Sequence, residues 1–314
     1  MNRRQFGNSG LQISTIGLGC VPLGDKDKVP TVDGAVAIMR AAFESGINFF
    51  DTAPLYGDSE SERRVGTALR ECKDLIPADF VLNTKVGYRP EPFDYGSKEQ
   101  TLACVEESLR LLGVDSLPMV HIHDVQHSDL PTVMNGARKA QHRLQAEGVV
   151  GMVGVAAGPI AMMIEYVETG EFDCILTHNR YTLLDQPADP LIARATELGL
   201  GIINGAPFSS GLLARPLDKS ATYIYREADP AALTRAARIH EICQRHGVSA
   251  VAAAIQFSTR DDRIHTTIMG AASPEQIRQS ATSLAENIPD EIWAEFRRDA
   301  PPKKTDDIRG LRDK

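Results

Sequence analysis

Strand-like and helix-like stretches alternate along this chain through eight repeats, and that order leaves few ways to fold it. The strand-like runs are ISTIGLG (13–19), NFFDTA (48–53), FVLNTKVG (80–87), SLPMVHIHD (116–124), MVGVAA (152–157), CILTHN (174–179), GIINGAP (201–207) and IHTTIMG (264–270). Between them lie amphipathic segments of helical period, at 32–46, from about Ser59 to Arg70, at 98–113, from about Thr132 to Glu147 and from Ile160 to Glu168, and helical sequence follows the last two strands. The strands are too apolar for one face to be wetted, so the pattern predicts a parallel sheet covered on both sides. Closing eight such strands gives a (β/α)8 barrel. Residues 3 to 12 place a Gly-Asn-Ser-Gly turn between two short strand-like pieces, a hairpin ahead of the barrel. No linker divides the chain, which predicts one domain over residues 1–314. The longest irregular stretch, 209–230, follows strand seven, and its two tyrosines, Tyr223 and Tyr225, favour a lid.

Charge and cysteine usage narrow the classes of partner. The net charge of -8 is spread over interspersed acids and bases, with no basic stripe for nucleic acid or anionic lipid. Five scattered cysteines show no C-x-x-C or metal-like spacing, so reduced thiols, a cytoplasmic setting and no bound metal are expected. The amino terminus has two arginines without an apolar run behind them, and no later segment is apolar for long enough to span a bilayer. Oligomeric state is not legible.

In a closed barrel, the ends of strands two, three and four are neighbours at one rim, about 5 Å apart. Those ends carry Asp51 with Tyr56, then Lys85, then a histidine. Tyrosine, with an ordinary pKa near ~10, exchanges protons near neutral pH only beside a cation. Lys85, held by the Asp51 carboxylate, can lower that value, and a shift of about 2 to 3 units corresponds to roughly 3 to 4 kcal/mol. Such a site moves a proton at an oxygen and leaves hydride at the adjacent carbon to a cofactor. His121 and His123 sit two apart on one strand and face the same side, so spacing alone selects neither as the residue orienting that oxygen.

FDTAPLYGDSE (50–60), the strand-terminal Lys85, His123 with Asp124, and IMGAASPEQI (268–277) resemble the aldo-keto reductase superfamily over nearly the whole chain. NRYTLLDQPA (179–188), SSGLLA (209–214) and ATYIY (221–225) resemble its branch of D-threo-aldose 1-dehydrogenase, L-galactose dehydrogenase and pyridoxal 4-dehydrogenase. The resemblance implies a catalytic tetrad of Asp51, Tyr56, Lys85 and His123 and a nicotinamide dinucleotide, NAD or NADP, across the barrel mouth. It places cofactor contacts at Gly19, Cys20, Asp51 and His178. The pyrophosphate loop matches Ala206, Pro207, Phe208, Ser209, Ser210, Gly211 and Leu212, and the adenosine end matches Gly270, Ala271, Ala272, Gln276, Gln279 and Ser280. Substrate contacts fall on Tyr56, His123, Asp124, Tyr223 and Tyr225.

The chain departs from the superfamily at several positions. Ala156 and Ala157 replace a usual Ser-Asn pair, His178 a glutamine, and Gly205 an aromatic residue. Gly270, Ala271, Ala272 and Gln276 stand where basic residues often meet a 2'-phosphate, with only Arg278 near, which favours NAD. The implied activity is oxidation of an aldose at its anomeric hydroxyl to the lactone. Alternatives are an aldehyde or carbonyl reductase, a pyridoxal dehydrogenase, a Schiff-base lyase using Lys85, and a nucleotide binder without catalysis. Plainer roles stand beside the sharp ones: an Asp51–Lys85 structural ion pair, Tyr56 and the lid tyrosines as packing residues, and His121 one layer deeper. His127 is expected to face solvent, and Glu60, Glu62, Arg63 and Arg64 a solvated helix face.

Overall fold

A computed structural model of the chain describes residues 1–89, 91–217, 222–224 and 226–298. It opens with a hairpin, β1 (Arg3–Gln5) against β2 (Gln12–Ser14), antiparallel with Arg3 opposite Ser14. The remaining elements alternate as the sequence predicts: β3 (Ile16–Gly19), α1 (Val32–Glu44), β4 (Phe49–Asp51), α2 (Glu60–Glu71), β5 (Val81–Val86), α3 (Lys98–Leu112) and β6 (Leu117–His123). After β6 come α4 (Leu130–Val133), a π-helical turn (Met134–Arg138), α5 (Lys139–Ala146), β7 (Val150–Ala156), α6 (Ile160–Glu168), β8 (Cys174–His178), α7 (Asp189–Glu197) and β9 (Gly201–Gly205). The chain then forms a short hairpin, β10 (Thr222–Tyr223) and β11 (Arg226–Glu227), followed by α8 (Pro230–His246), α9 (Ala250–Thr259), β12 (Thr266–Gly270), α10 (Pro274–Ser283) and α11 (Asp290–Arg298). Strands β3 to β9 and β12 close into a parallel barrel in the order β12-β3-β4-β5-β6-β7-β8-β9.

Several element ends shift by one or two residues from the sequence reading, and two of the departures have an identifiable cause. Residues 13–19 are two strands, because the chain turns at Thr15: Ser14 N–H donates to the Asn48 side chain and its hydroxyl to the Ile16 carbonyl, which detaches β2 from β3. The helix expected from Thr132 begins two residues earlier, with the Asp129 side chain capping the Thr132 N–H, and a π turn interrupts it.

Alternation along each strand divides the apolar residues between two cores. One lies inside the barrel and joins Phe49, Val81, Met119, Leu176, Ile203 and Ile268, with Phe6 and Ile13 of the hairpin region closing its amino-terminal end. The other fills the layer between strands and helices, as in Phe50, Leu82, Val120 and Ile175 against Ile38, Val65 and Leu112. All five cysteines are free thiols and buried. No helix among the described residues is long and apolar enough to cross a membrane.

The loop carrying Tyr56 is pinned by a crossing of two glycines. Gly57 has φ +65°, and a Cβ there would sit 2.0 Å from the Gly24 carbonyl oxygen; one on Gly24 would sit 2.4 Å from that of Tyr56. Gly57→Ala is therefore expected to destabilise the fold by about 2–4 kcal/mol, combining the left-handed penalty with overpacking. Denaturant unfolding checks this, and a loss under about 0.5 kcal/mol would mean that the loop can shift without cost.

Candidate active site

Strand register decides which residues share the barrel mouth. Asp51 pairs with Asn83, Lys85 with His121, and His123 with Ala156. With a side-chain period of two, Asp51, Asn83, Lys85, His121 and His123 all face the interior, and the stagger lifts Lys85 and His123 two residues above their lower neighbours.

Asp51 and Lys85 are each 1% exposed, and Lys85 Nζ donates to Asp51 Oδ1 over 2.6 Å and to the Thr52 carbonyl over 2.9 Å. The same nitrogen lies 3.0 Å from the Tyr56 hydroxyl, closer than Asp51 Oδ2, at 3.4 Å. The ammonium is thus the nearer of the two charges at the phenol, which favours the ionised ring. The loop is held by a Tyr56 N–H bond to the Ala53 carbonyl and by Ser61, whose hydroxyl joins Thr52 and the Cys20 carbonyl. His123 stands edge-on to Tyr56, ring centroids 6.0 Å apart at 88°, so the two rings are direct neighbours. The Tyr95 hydroxyl donates to the His123 carbonyl over 2.6 Å and fixes the end of β6.

Burial pushes the His123 imidazole down to about 3, with Asp124 opposing and Lys85 adding to the effect. His123 is accordingly a neutral imidazole at working pH, and its N–H can donate to a substrate oxygen. Burial and the Arg180 guanidinium lower His178 to about 4. Burial alone would raise Asp124, but His123 and the Tyr88 hydroxyl, which donates over 2.6 Å, more than reverse it and hold the carboxyl at about 2. Both histidines have folded-state values below the ordinary 6.5, so the unfolded chain binds more protons below that pH. Stability is expected to fall as pH drops from about 6.5 towards 3, and His123→Asn should flatten that loss across the whole window in thermal melts. Equal slopes in the two proteins would count against a buried neutral His123.

Asp124 has φ +50° and its carboxylate is engaged by Tyr88, whose ring packs 5.4 Å from His123. Tyr88 was not singled out in the sequence; its signal is an aromatic three residues beyond Lys85. Tyr223 is buried, and its hydroxyl lies 2.9 Å from Asp185 Oδ1 and 3.2 Å from the Asn179 carbonyl, which makes it a packing contact between β10 and the loop after β8. Tyr225 lies outside the described residues. His127 is exposed, as expected. The expected solvated face of α2 is a correction: Glu62 is 0% and Arg64 3% exposed. Glu62 accepts from Thr84 and Arg89, and Arg64 donates to the carbonyls of Leu23 and Val29, because α2 packs between β5 and the 3-10 turn Val21–Gly24.

The residues expected around a nucleotide form an arc from β8 to α10. Gly19 and Gly270 are paired at the rim, and Cys20 N–H donates to the Asp51 carbonyl. His178 pairs with Gly205, and beside it Asn179 Oδ1 is buried without a hydrogen-bond partner among the described residues, a free acceptor suited to a carboxamide. Ala206, Ser209, Ser210 and Gly211 all have positive φ, which turns the chain tightly after β9. The N–H groups of Ser209, Gly211, Leu212 and Leu213 are spent inside this loop on Ala206, Phe208 and Ser209 carbonyls. Ser210 Oγ accepts from Ile224 N–H, which leaves its own proton available to donate. Gln276 Oε1 accepts from Ala272 N–H, Gln279 is exposed and Ser280 buried on α10. These features fit a dinucleotide. Among the described residues no cluster of His, Cys, Asp or Glu is arranged to hold a metal ion.

Residues 15–298 match the Aldo/keto reductase family. The chain belongs to that family. Aldo-keto reductases use NAD(P)(H), so this one is an NAD(P)-dependent oxidoreductase. It is 32% identical to a D-threo-aldose 1-dehydrogenase of a Pseudomonas species, over 92% of this chain and 94% of that protein. It is 30% identical to the pyridoxal 4-dehydrogenase of Microbacterium luteolum, covering 94% and 96%, and 30% to the L-galactose dehydrogenase of Arabidopsis thaliana, covering 90% and 88%. The structure of an aldo-keto reductase from Bacillus halodurans in its holo form superposes with a TM-score of 0.81 at 25% identity, over all of both chains.

Proposed function

We propose that this aldo-keto reductase is an NAD-dependent sugar 1-dehydrogenase, with Asp51, Tyr56, Lys85 and His123 as its catalytic groups. The observation that carries the reading is the Tyr56 hydroxyl 3.0 Å from a buried, carboxylate-held ammonium at the barrel mouth. An aldose closed to its ring form offers one carbon bearing both a hydroxyl and a hydrogen. Lys85 holds Tyr56 as tyrosinate, tyrosinate takes the hydroxyl proton, and the His123 N–H orients the same oxygen as its bond to carbon becomes double. A bound nicotinamide nucleotide supplies the acceptor for the hydride that leaves that carbon. The product is the lactone, one proton and one reduced carrier.

Relatives on both sides of this choice support the class of substrate. Free pyridoxal also closes into an internal hemiacetal, so a sugar and pyridoxal present the same reacting carbon. Preference for NAD is supported by the adenosine end, where Arg278 already faces Glu44 at 3.9 Å and Glu275 at 3.6 Å, leaving little charge for a 2'-phosphate. Steady-state assays with L-fucose, L-galactose and pyridoxal, each with NAD and NADP, test the reading. Reduced nucleotide should form with an aldose, and NAD should bind about tenfold tighter than NADP. Background rates with every aldose would sink it, and turnover of pyridoxal alone would reassign the substrate.

A further inference from the structure

Below the rim, the hydrogen bonds continue from Asp51 into the barrel. Asp51 Oδ1 accepts from Lys85 Nζ and also from Asn83 Nδ2, both at 2.6 Å. Asn83 Oδ1 lies 2.9 Å from His121 Nδ1, and His121 Nε2 lies 3.6 Å from Cys174 Sγ. Asn83, His121 and Cys174 are all 0% exposed. The donors and acceptors are consistent in only one direction. A carboxylate cannot donate, so Asn83 must turn its NH2 to Asp51 and its oxygen to the imidazole. His121 must then carry its proton on Nδ1 and present a lone pair to the thiol. Burial holds both end groups in the states this requires: the His121 imidazole is pushed well down and the Cys174 thiol well up. Room for the ring comes from Gly154 on β7, where a Cβ would stand 2.4 Å from His121 Cδ2 and Nε2 and 2.7 Å from Cys174 Sγ.

We infer that Asn83 and His121 are positioning residues that set the protonation of Tyr56 through Asp51. The inference rests on the reading of Tyr56 and Lys85 given above. Two donors on Oδ1 draw the carboxylate's charge to the oxygen remote from the phenol and hold Oδ2 back at 3.4 Å. Without the Asn83 amide only Lys85 holds Oδ1, and an Oδ2 that swings within ordinary hydrogen-bond reach of about 2.7 Å would favour the protonated phenol. The groups facing Asp51 are Lys85 and Asn83 from β5, Tyr56 from its own loop and Cys20 after β3. His121 and His123 face Lys85 from β6. Of these, Lys85 favours the anionic ring and Asp51 opposes it, so the placement of Asp51 tunes the balance.

Tyrosine ionisation can be read without turnover. The full chain labelled with [13Cζ]tyrosine gives a Tyr56 resonance assigned by its loss in Tyr56→Phe. Asn83→Leu should move the Tyr56 midpoint up by about one unit or more, and His121→Phe in the same direction by less. Where a substrate is turned over, kcat should fall about tenfold near neutral pH, with nucleotide affinity within about twofold of wild type. A merely structural amide would lower the melting temperature and leave the midpoint where it was; a folded Asn83→Leu with an unmoved midpoint overturns the inference. Should that variant not fold, an unmoved midpoint in His121→Phe does the same. A wild-type midpoint near the ordinary value of about 10 would instead count against the reading of the site itself.

Discussion

Replacing Tyr56 with phenylalanine is expected to lower kcat by about a thousandfold while leaving nucleotide affinity and fold intact. The substitution removes one oxygen, and the ring can stay where Gly57 and Gly24 fix its loop. Lys85 keeps its bonds to Asp51 and the Thr52 carbonyl, so no buried charge is orphaned. What disappears is the group that exchanges the substrate proton, and general acid–base catalysis of this kind contributes roughly 10²–10⁴-fold. Single-turnover rates, with nucleotide binding measured separately by fluorescence titration, give the two quantities independently. Activity within about tenfold of wild type would mean that another residue moves the proton and would remove Tyr56 from the centre of the mechanism.

Lys85→Met carries the second large expectation, and it acts on stability as well as rate. Asp51 and Lys85 are both 1% exposed, so deleting the cation leaves a carboxylate in the barrel with the Asn83 amide as its remaining strong donor. Breaking a buried pair from one side costs about 3–5 kcal/mol. The buried carboxyl then titrates above its unfolded value, the folded state binds the extra proton, and the variant's stability should decline as pH rises through the raised pKa. Asp51→Asn combined with Lys85→Met removes both charges. It should recover much of that stability, while kcat stays near background because the phenol has lost its ammonium. Denaturant unfolding of both single variants and the double variant at two pH values measures the cycle. A double variant as unstable as Lys85→Met would show that packing, and not charge, carries the cost.

Much of the architecture was legible because it depends on period. Glycine closes α3 at Gly113 in the left-handed conformation, and Ser97 caps its start, both readable as local chemistry. The element boundaries that were misread depend on side chains distant in sequence. The break at Thr15 is made by Asn48, more than thirty residues away, and nothing in ISTIGLG announces it. The buried face of α2 was missed for a related reason: Glu62 and Arg64 look solvated in a charged run, but their partners, Thr84, Arg89 and the Leu23 carbonyl, come from other elements.

For the site, the residue types and their strand ends were sufficient to assemble Asp51, Tyr56, Lys85 and a histidine at one rim. Asn83 could have been added from its spacing of two before Lys85, which puts it on the same face. The sequence by itself determined the alternation, and with it the barrel, its inward-facing positions and the kinds of group they carry, because those follow from local period and composition. Only the tertiary structure decided height within the barrel. The stagger between strands sets His121 level with Lys85 and lifts His123 to the mouth beside Tyr56. That choice belongs to the closed hydrogen-bond register of eight strands, which no single stretch of chain encodes.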